Sequence, residues 1–359
     1  RRDLLKDLST AGVFTLDFRW TLTPDATERD AWLLLPALAL FFAALASSVD
    51  VWRYLLWWVV ALAMFTLVLG FVQIGVPQDS FLNPFPQYAP ALTGVFANKN
   101  HQADALAIGL VLSLALAFDA RRRVLHERRG QTALLSGAIL AVLFVLVLPL
   151  VKSRAGVIVG LVVSGMVMLH SGPLSPSHWR SRHLGRVLGV LSVAALLVGI
   201  TAALAWMQAD ADVDGSRWAM FVATWRLGFD NAPFGSGFGS FVPMFEQATH
   251  GALMRSGYIN NAHNDYVQWW FEGGYLAVGV LLAAQTVLLR ALLGLLRLPE
   301  DSRLRSKGLA AAGGVLVLLL HSIVDYPLRT PALMSVAGLL AGIVVAAAAK
   351  ARQRDAAGS

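Results

Sequence analysis

Apolar stretches of roughly membrane-crossing length recur along the whole chain, separated by short polar segments. The pattern predicts nine helical spans, at residues 31–48, 54–75, 102–118, 133–151, 155–170, 187–207, 274–296, 308–324 and 331–349. About 20 residues are needed to cross a bilayer, so 155–170 and 308–324 are the tightest fits. No internal repeat or low-complexity tract interrupts the series, and no pair of matching broken helices marks a transporter built from inverted halves. The longest polar interruption is 208–273. Within it, "SRWAMFVATWRLGF" (216–229) places Trp218, Phe221, Val222 and Trp225 on one helical face, the pattern of a helix lying in the membrane interface. "NAPFGSGFGSF" then supplies Pro233 and the glycines Gly235, Gly237 and Gly239, which end that helix in turns. Such a loop can cradle phosphate through its amides, although a plain turn is the simpler reading.

Composition agrees with the pattern. The chain is 57% hydrophobic and 14% charged, too apolar for a water-soluble domain of 359 residues. We therefore expect one all-α integral membrane domain over residues 1–359, a polytopic helical bundle. The net charge of +7 does not point to nucleic acid, because the cations cluster between apolar runs. Arginines and lysines concentrate in 119–132, 171–186, 297–307 and 350–359, and the positive-inside rule places those segments in the cytoplasm. Residues 76–101, 152–154, 208–273 and 325–330 then face the other side. Nine spans with a cytoplasmic C-terminus would leave Arg1 outside the cytoplasm with no signal segment to carry it there, so an odd number of further helices is expected upstream. Cysteine is absent, which excludes disulfides, thiolate metal sites and cysteine nucleophiles.

Few residues outside the spans can carry chemistry. Arg154, in "VKSRAG", sits between two apolar runs with almost no loop, where a guanidinium is costly unless it meets an anion; a snorkelling anchor beside Lys152 is the alternative. Arg217 opens the amphipathic helix as the sequence reads, against the helix dipole, and either has a ligand or touches a headgroup. Arg226, Arg255 and Arg329 read as surface anchors. His263 lies in "NNAHND" among Asn260, Asn261, Asn264 and Asp265. Histidine titrates near neutrality and can take a proton from a hydroxyl, or it can simply cap the helix that follows. His101 is similarly ambiguous, His321 is expected to pair with Asp325 one turn on, and His170, His178 and His183 read as interface residues on the cytoplasmic side. Asp265, Glu272 and Asp325 are the carboxylates near the exterior helix ends. Asp210, Asp212 and Asp214 lack the further ligands of a calcium loop, and no metal motif is present.

In their order, "SRAG" (153–156), "SRW" (216–218), "PFGSGFGSF" (233–241), "AHNDYVQWWFEGGYLAVG" (262–279) and "HSIVDYPL" (321–328) resemble the O-antigen ligase and polymerase superfamily. "FANKNHQAD" (96–104) resembles the family's entry to an earlier helix. The resemblance spans roughly 90–345. It implies a GT-C-like fold of about a dozen spans, with three helices preceding Arg1 and residues 208–273 forming the large periplasmic loop. It further implies a bacterial inner-membrane enzyme that moves a glycan from undecaprenyl diphosphate to an acceptor hydroxyl, inverting the anomeric carbon without a required metal or other cofactor. By the same resemblance His263 is the general base and Arg154 and Arg217 bind the diphosphate. Asp265, Glu272, Asn264 and Asp325 are candidate supporting residues. Trp269 and Trp270 suit a headgroup level or a sugar platform, and apolar faces would hold the polyprenyl tail. Ligation to a lipid A core is favoured narrowly over O-antigen or exopolysaccharide polymerisation and protein O-glycosylation. A polyprenol-linked glycan transporter is the reading from another class, but it should carry charge along a central path rather than at the exterior rim.

Overall fold

A computed structural model describes residues 21–86, 91–121, 128–171, 211–249 and 259–358. The predicted span 187–207 and the residues Asp210, His178, His183 and Arg255 lie outside these. The architecture is all-α and polytopic, and no strand occurs among the described residues. The helices are α1 Pro24–Ala46, α2 Val49–Gly75, α3 Lys99–Arg121, α4 Arg128–Val147, α5 Arg154–Ser171, α6 Ala211–Asp230, α7 Phe241–Thr249, α8 Asp265–Leu296, α9 Arg303–His321 and α10 Pro331–Gly358. Among the described residues seven apolar helical stretches are long enough to cross a membrane: those of α1, α2, α3, α8, α9 and α10, and α4 together with the short 3₁₀ turn Leu148–Val151 that continues it. The apolar part of α5, Arg154–Leu169, is shorter. Each of the eight described spans read from hydropathy coincides with one of these helices.

By their internal contacts the described residues fall into two units. The larger contains 36–86, 91–121, 128–171, 287–321 and 327–358. Its centre is α3, which packs against α2, α4, α5 and α9. Burial reflects that place: 78% of the apolar window of α3 is buried, against 11% for α1. Lipid supplies no hydrophobic drive between helices, so close backbone approach and polar pairing must hold them. Small residues permit the approach. A Cβ on Gly156 would stand 2.5 Å from that of Ala103, and one on Gly109 would meet Ala63 and Phe144 at 2.8 Å.

Polar pairing follows the same axis. Thr66 donates to Gln102 Oε1 at 2.6 Å, and the His101 ring shares a hydrogen bond of 2.8 Å with the Thr330 hydroxyl. Lys307 Nζ reaches Asp119 Oδ2 at 2.6 Å, with Ser306 donating to the other carboxylate oxygen. His321 pairs through Nδ1 with Asp104, both side chains fully buried. That replaces the expected His321–Asp325 pair, because α9 ends at His321 and the one-turn spacing of a continuing helix is lost.

The second unit contains 21–35, 211–249, 259–286 and 322–326. Met220, Phe241, Phe245, Ala262 and Phe271 form its core. One face of α6 buries Met220 and Thr224, while Trp218, Trp225 and Phe229 stay exposed, with Trp218 stacked on Phe221 at 5.2 Å. The aromatic face predicted for an interfacial helix is therefore present.

Candidate functional site

Helix α8 does not run unbroken. Gly274 has φ 57° and ψ −149°, outside the helical range and suited to glycine alone, so the carbonyls of the preceding turn lose their ordinary partners. The Pro-Gly loop supplies replacements. Ser236 N–H donates to the Phe271 carbonyl at 3.1 Å, Gly237 N–H to Glu272 at 2.8 Å, and Tyr275 N–H to the Pro233 carbonyl at 2.9 Å. The contact is too close for side chains, since a Cβ on Gly235 would lie 2.3 Å from the Glu272 carbonyl oxygen. The loop is therefore a brace for the helix break, which gives the plain-turn reading a specific structural purpose.

The N-terminus of α8 is built more elaborately. Asn264 is its cap: Oδ1 accepts the Val267 N–H at 3.0 Å, and the backbone carbonyl accepts that of Gln268. The other end of the same amide donates to the Ile323 carbonyl at 2.7 Å. Asp265 is 2% exposed; its N–H donates to the carbonyls of Ser322 and Asp325, and its Oδ2 accepts the Ser322 hydroxyl at 2.8 Å. Segment 322–326 is thus stitched to the start of α8 by three side chains and the backbone. Tyr326 completes the seam with a long bond of 3.4 Å to Asn260.

His263 lies just before the cap, with φ 50°. A non-glycine residue in the left-handed region costs on the order of 1–3 kcal/mol and persists only where its surroundings hold it. Here the ring meets Tyr326 edge to face, centroids 5.0 Å apart, and its Nδ1 lies 3.3 Å from Asp325 Oδ1, within ion-pair reach but out of line for a hydrogen bond. Asp325 is fully buried, while 23% of the His263 side chain remains accessible. The carboxylate also accepts the Tyr326 N–H at 2.9 Å through the same oxygen. A carboxylate beside Nδ1 favours the tautomer with its proton there and leaves the Nε2 lone pair available. The arrangement can orient an imidazole and balance the charge it acquires on taking a proton.

Not every candidate gathers here. Glu272 is 1% exposed and serves the fold: its Oε1 accepts from Phe241 N–H and Gln268 Nε2, both at 3.3 Å. Arg217 is half-buried within α6, which starts at Ala211; it does not open the helix, so the unfavourable dipole position expected for it does not apply. Arg154, in the larger unit, is the half-buried first residue of α5, and the preceding Ser153 caps that helix by accepting the Gly156 N–H at 3.2 Å. Trp270 is 4% exposed and donates its indole N–H to the Trp225 carbonyl, which rules it out as a sugar platform; Trp269 packs edge to face on Phe238. Among the described residues no three His, Asp or Glu side chains gather in a way that could hold a metal ion.

Three contributors escaped the sequence reading. Gln268 accepts the Ala262 N–H at 2.9 Å and donates to Asn261 and Glu272, so it fixes the strand of chain carrying His263. Its signal was present: Asn264, Gln268 and Glu272 form a polar stripe at helical spacing in an otherwise apolar helix. Ser322 and Tyr326 stood inside a quoted motif without an assigned task. The cap predicts a stability effect: Asn264→Ala should cost about 1 kcal/mol or more, since it removes the Val267 and Ile323 bonds together. Thermal unfolding in detergent would measure it, and Asn264→Ser, which retains only the capping oxygen, should fall between.

Comparison with known proteins adds the family. No curated protein matches the chain significantly. The family model described as O-antigen ligase matches residues 89–282, more than half of the chain and including α3, α5, α6, the Pro-Gly loop and His263. The chain therefore belongs to the O-antigen ligase family, and is a multi-pass, glycosyltransferase-like membrane enzyme.

Proposed function

We propose that the chain transfers a glycan from undecaprenyl diphosphate to a sugar hydroxyl of a lipid A core, on the periplasmic side of the bacterial inner membrane. Ligase rather than polymerase is the reading adopted for the acceptor. The observation that carries the proposal is the His263–Asp325 pair: a partly accessible imidazole whose Nδ1 lies 3.3 Å from a fully buried carboxylate, close enough to hydrogen-bond after a small rotation of the ring. In the proposed step Nε2 takes the acceptor hydroxyl proton as that oxygen bonds to the anomeric carbon. The bond from that carbon to the phosphate oxygen breaks with inversion, and undecaprenyl diphosphate departs. Asp325 balances the imidazolium. Asn264 and Asp265 act on the chain around the base, and Glu272 acts through Gln268, so all three are positioning residues in this scheme.

The leaving diphosphate gains negative charge, which guanidinium forks neutralise bidentately without a metal. Arg154 and Arg217 are assigned that task. Both are half-buried, which suits side chains that meet an anion at the edge of an apolar environment. The purified full-length protein, given lipid-diphosphate donor and lipid A-core acceptor in EDTA, is expected to turn over. Arg154→Ala and Arg217→Ala should each lower the rate on the order of 10²-fold or more. Absence of transfer in EDTA with restoration by a divalent cation would overturn the metal-independent scheme, and wild-type rate in either variant would remove that arginine from the site.

A further inference from the structure

The larger unit holds a cavity of about 500 Å³ between the ends of α8 and α10, remote in sequence from every residue assigned to transfer. Three guanidinium groups line it, Arg290 and Arg297 of the α8 end and Arg352 of α10, together with the apolar side chains of Leu293 and Leu298. Among the described residues the lining contains no carboxylate. None of the three arginines makes a hydrogen bond or ion pair through its side chain with another described residue, unlike Arg303, which reaches Asp50 at 3.1 Å. All three arginines are exposed, so solvent screens much of their mutual repulsion, yet three like charges gathered around one cavity still favour an anion among them.

Position along the helix sharpens the point. Arg290 and Arg297 are seven residues apart and so share a face, with Leu293 and Gly294 between them on the same side. Arg290 therefore lies about 10 Å deeper along the helix than Arg297. Val287, one turn deeper than Arg290 on the same face, and Leu289 are exposed, so apolar surface continues beyond the arginines toward the middle of the helix. A ligand matching both features carries phosphate at one end and hydrocarbon at the other. We infer that this cavity binds the phosphodiester headgroup of an acidic phospholipid, with an acyl chain along the exposed face of α8. The positive-inside orientation proposed above puts these helix ends at the cytoplasmic leaflet, where acidic lipids and cationic pockets meet. The site would tie the enzyme to acidic lipid on the face opposite to its chemistry.

The test uses the purified full-length protein with short-chain phosphatidylglycerol, short-chain phosphatidylcholine and inorganic phosphate as probes. Native mass spectrometry reads the lipid retained, and thermal unfolding reads the stabilisation. Phosphatidylglycerol is expected to bind at least tenfold more tightly than phosphatidylcholine and to resist displacement by a tenfold excess of phosphate. The triple variant Arg290→Gln, Arg297→Gln, Arg352→Gln should lose that preference. Gly294→Phe keeps all three charges and fills the cavity; a Cβ there meets nothing within 4 Å, so the helix tolerates the change. It should lose phosphatidylglycerol as well. Wild-type retention in both variants, equal binding of phosphatidylcholine, or ready displacement by inorganic phosphate would each overturn the assignment, the last showing a free-anion site.

Discussion

Replacing His263 with asparagine is expected to lower kcat for glycan transfer on the order of 10³-fold, within the range that positioned general bases contribute. Asparagine is the informative choice because residue 263 has φ 50°, a conformation that asparagine adopts more readily than most residues, so the local backbone is retained. Alanine would remove the imidazole and also strain the turn before the Asn264 cap. The proposed base acts on the acceptor proton and not on the diphosphate. Donor KM should therefore stay within about threefold while kcat falls, the signature of an interaction made mainly in the transition state. Unfolding temperature and donor binding are the controls. A variant that folds, binds donor and transfers at the wild-type rate would exclude His263 as the base, and loss of donor binding with unchanged kcat would assign the ring to the ground state instead.

Hydropathy located all eight described spans because lipid crossing is a property of local composition. It erred where tertiary contacts set the ends. The span expected at 308–324 is the helix Arg303–His321: Lys307, read from its charge as lying outside the span, is buried against Asp119, while Ile323 and Val324, read as membrane residues, are exposed beyond the helix end. The span expected to begin at 274 does start at a break: Gly274 divides α8 into a short stretch from Asp265 and the long apolar stretch to Leu296, and the Pro-Gly loop satisfies the groups left at the break. The shifted ends of α9 and the brace at Gly274 are not visible in a window of neighbouring residues.

The candidate site shows the same division. His263 stood out as a lone imidazole among amides, and the family resemblance put Asp325 among its supporting residues. Their pairing was not legible, since Asp325 comes from a distant segment and the local one-turn rule assigned it to His321. Capping, the alternative reading for His263, falls to its neighbour Asn264, one position along the chain. Gln268 was passed over because a glutamine carries no charge and no reaction, yet it holds the backbone at Ala262.

Asp325→Asn is expected to lower kcat on the order of 10²-fold with little change in KM for either substrate. The oxygen that faces His263 also accepts the Tyr326 N–H, and this bond favours keeping an oxygen, rather than the new amide nitrogen, in that place. The preferred His263 tautomer would then survive, and what is lost is the negative charge that balances the imidazolium formed during transfer. That separates two contributions usually removed together. If the amide instead turns its nitrogen toward the ring, the Tyr326 bond breaks, Nε2 becomes the protonated nitrogen, and the loss should approach 10⁴-fold, as for a wrong tautomer. Asp325→Glu retains the charge but is longer by a methylene in a fully buried position, so it should recover little. Imidazole ¹⁵N shifts of His263 in the asparagine variant would tell the two arrangements apart. Unchanged kcat in a folded Asp325→Asn protein would mean that the buried carboxylate serves only to hold segment 322–326, and the acid-base pair would have to be abandoned.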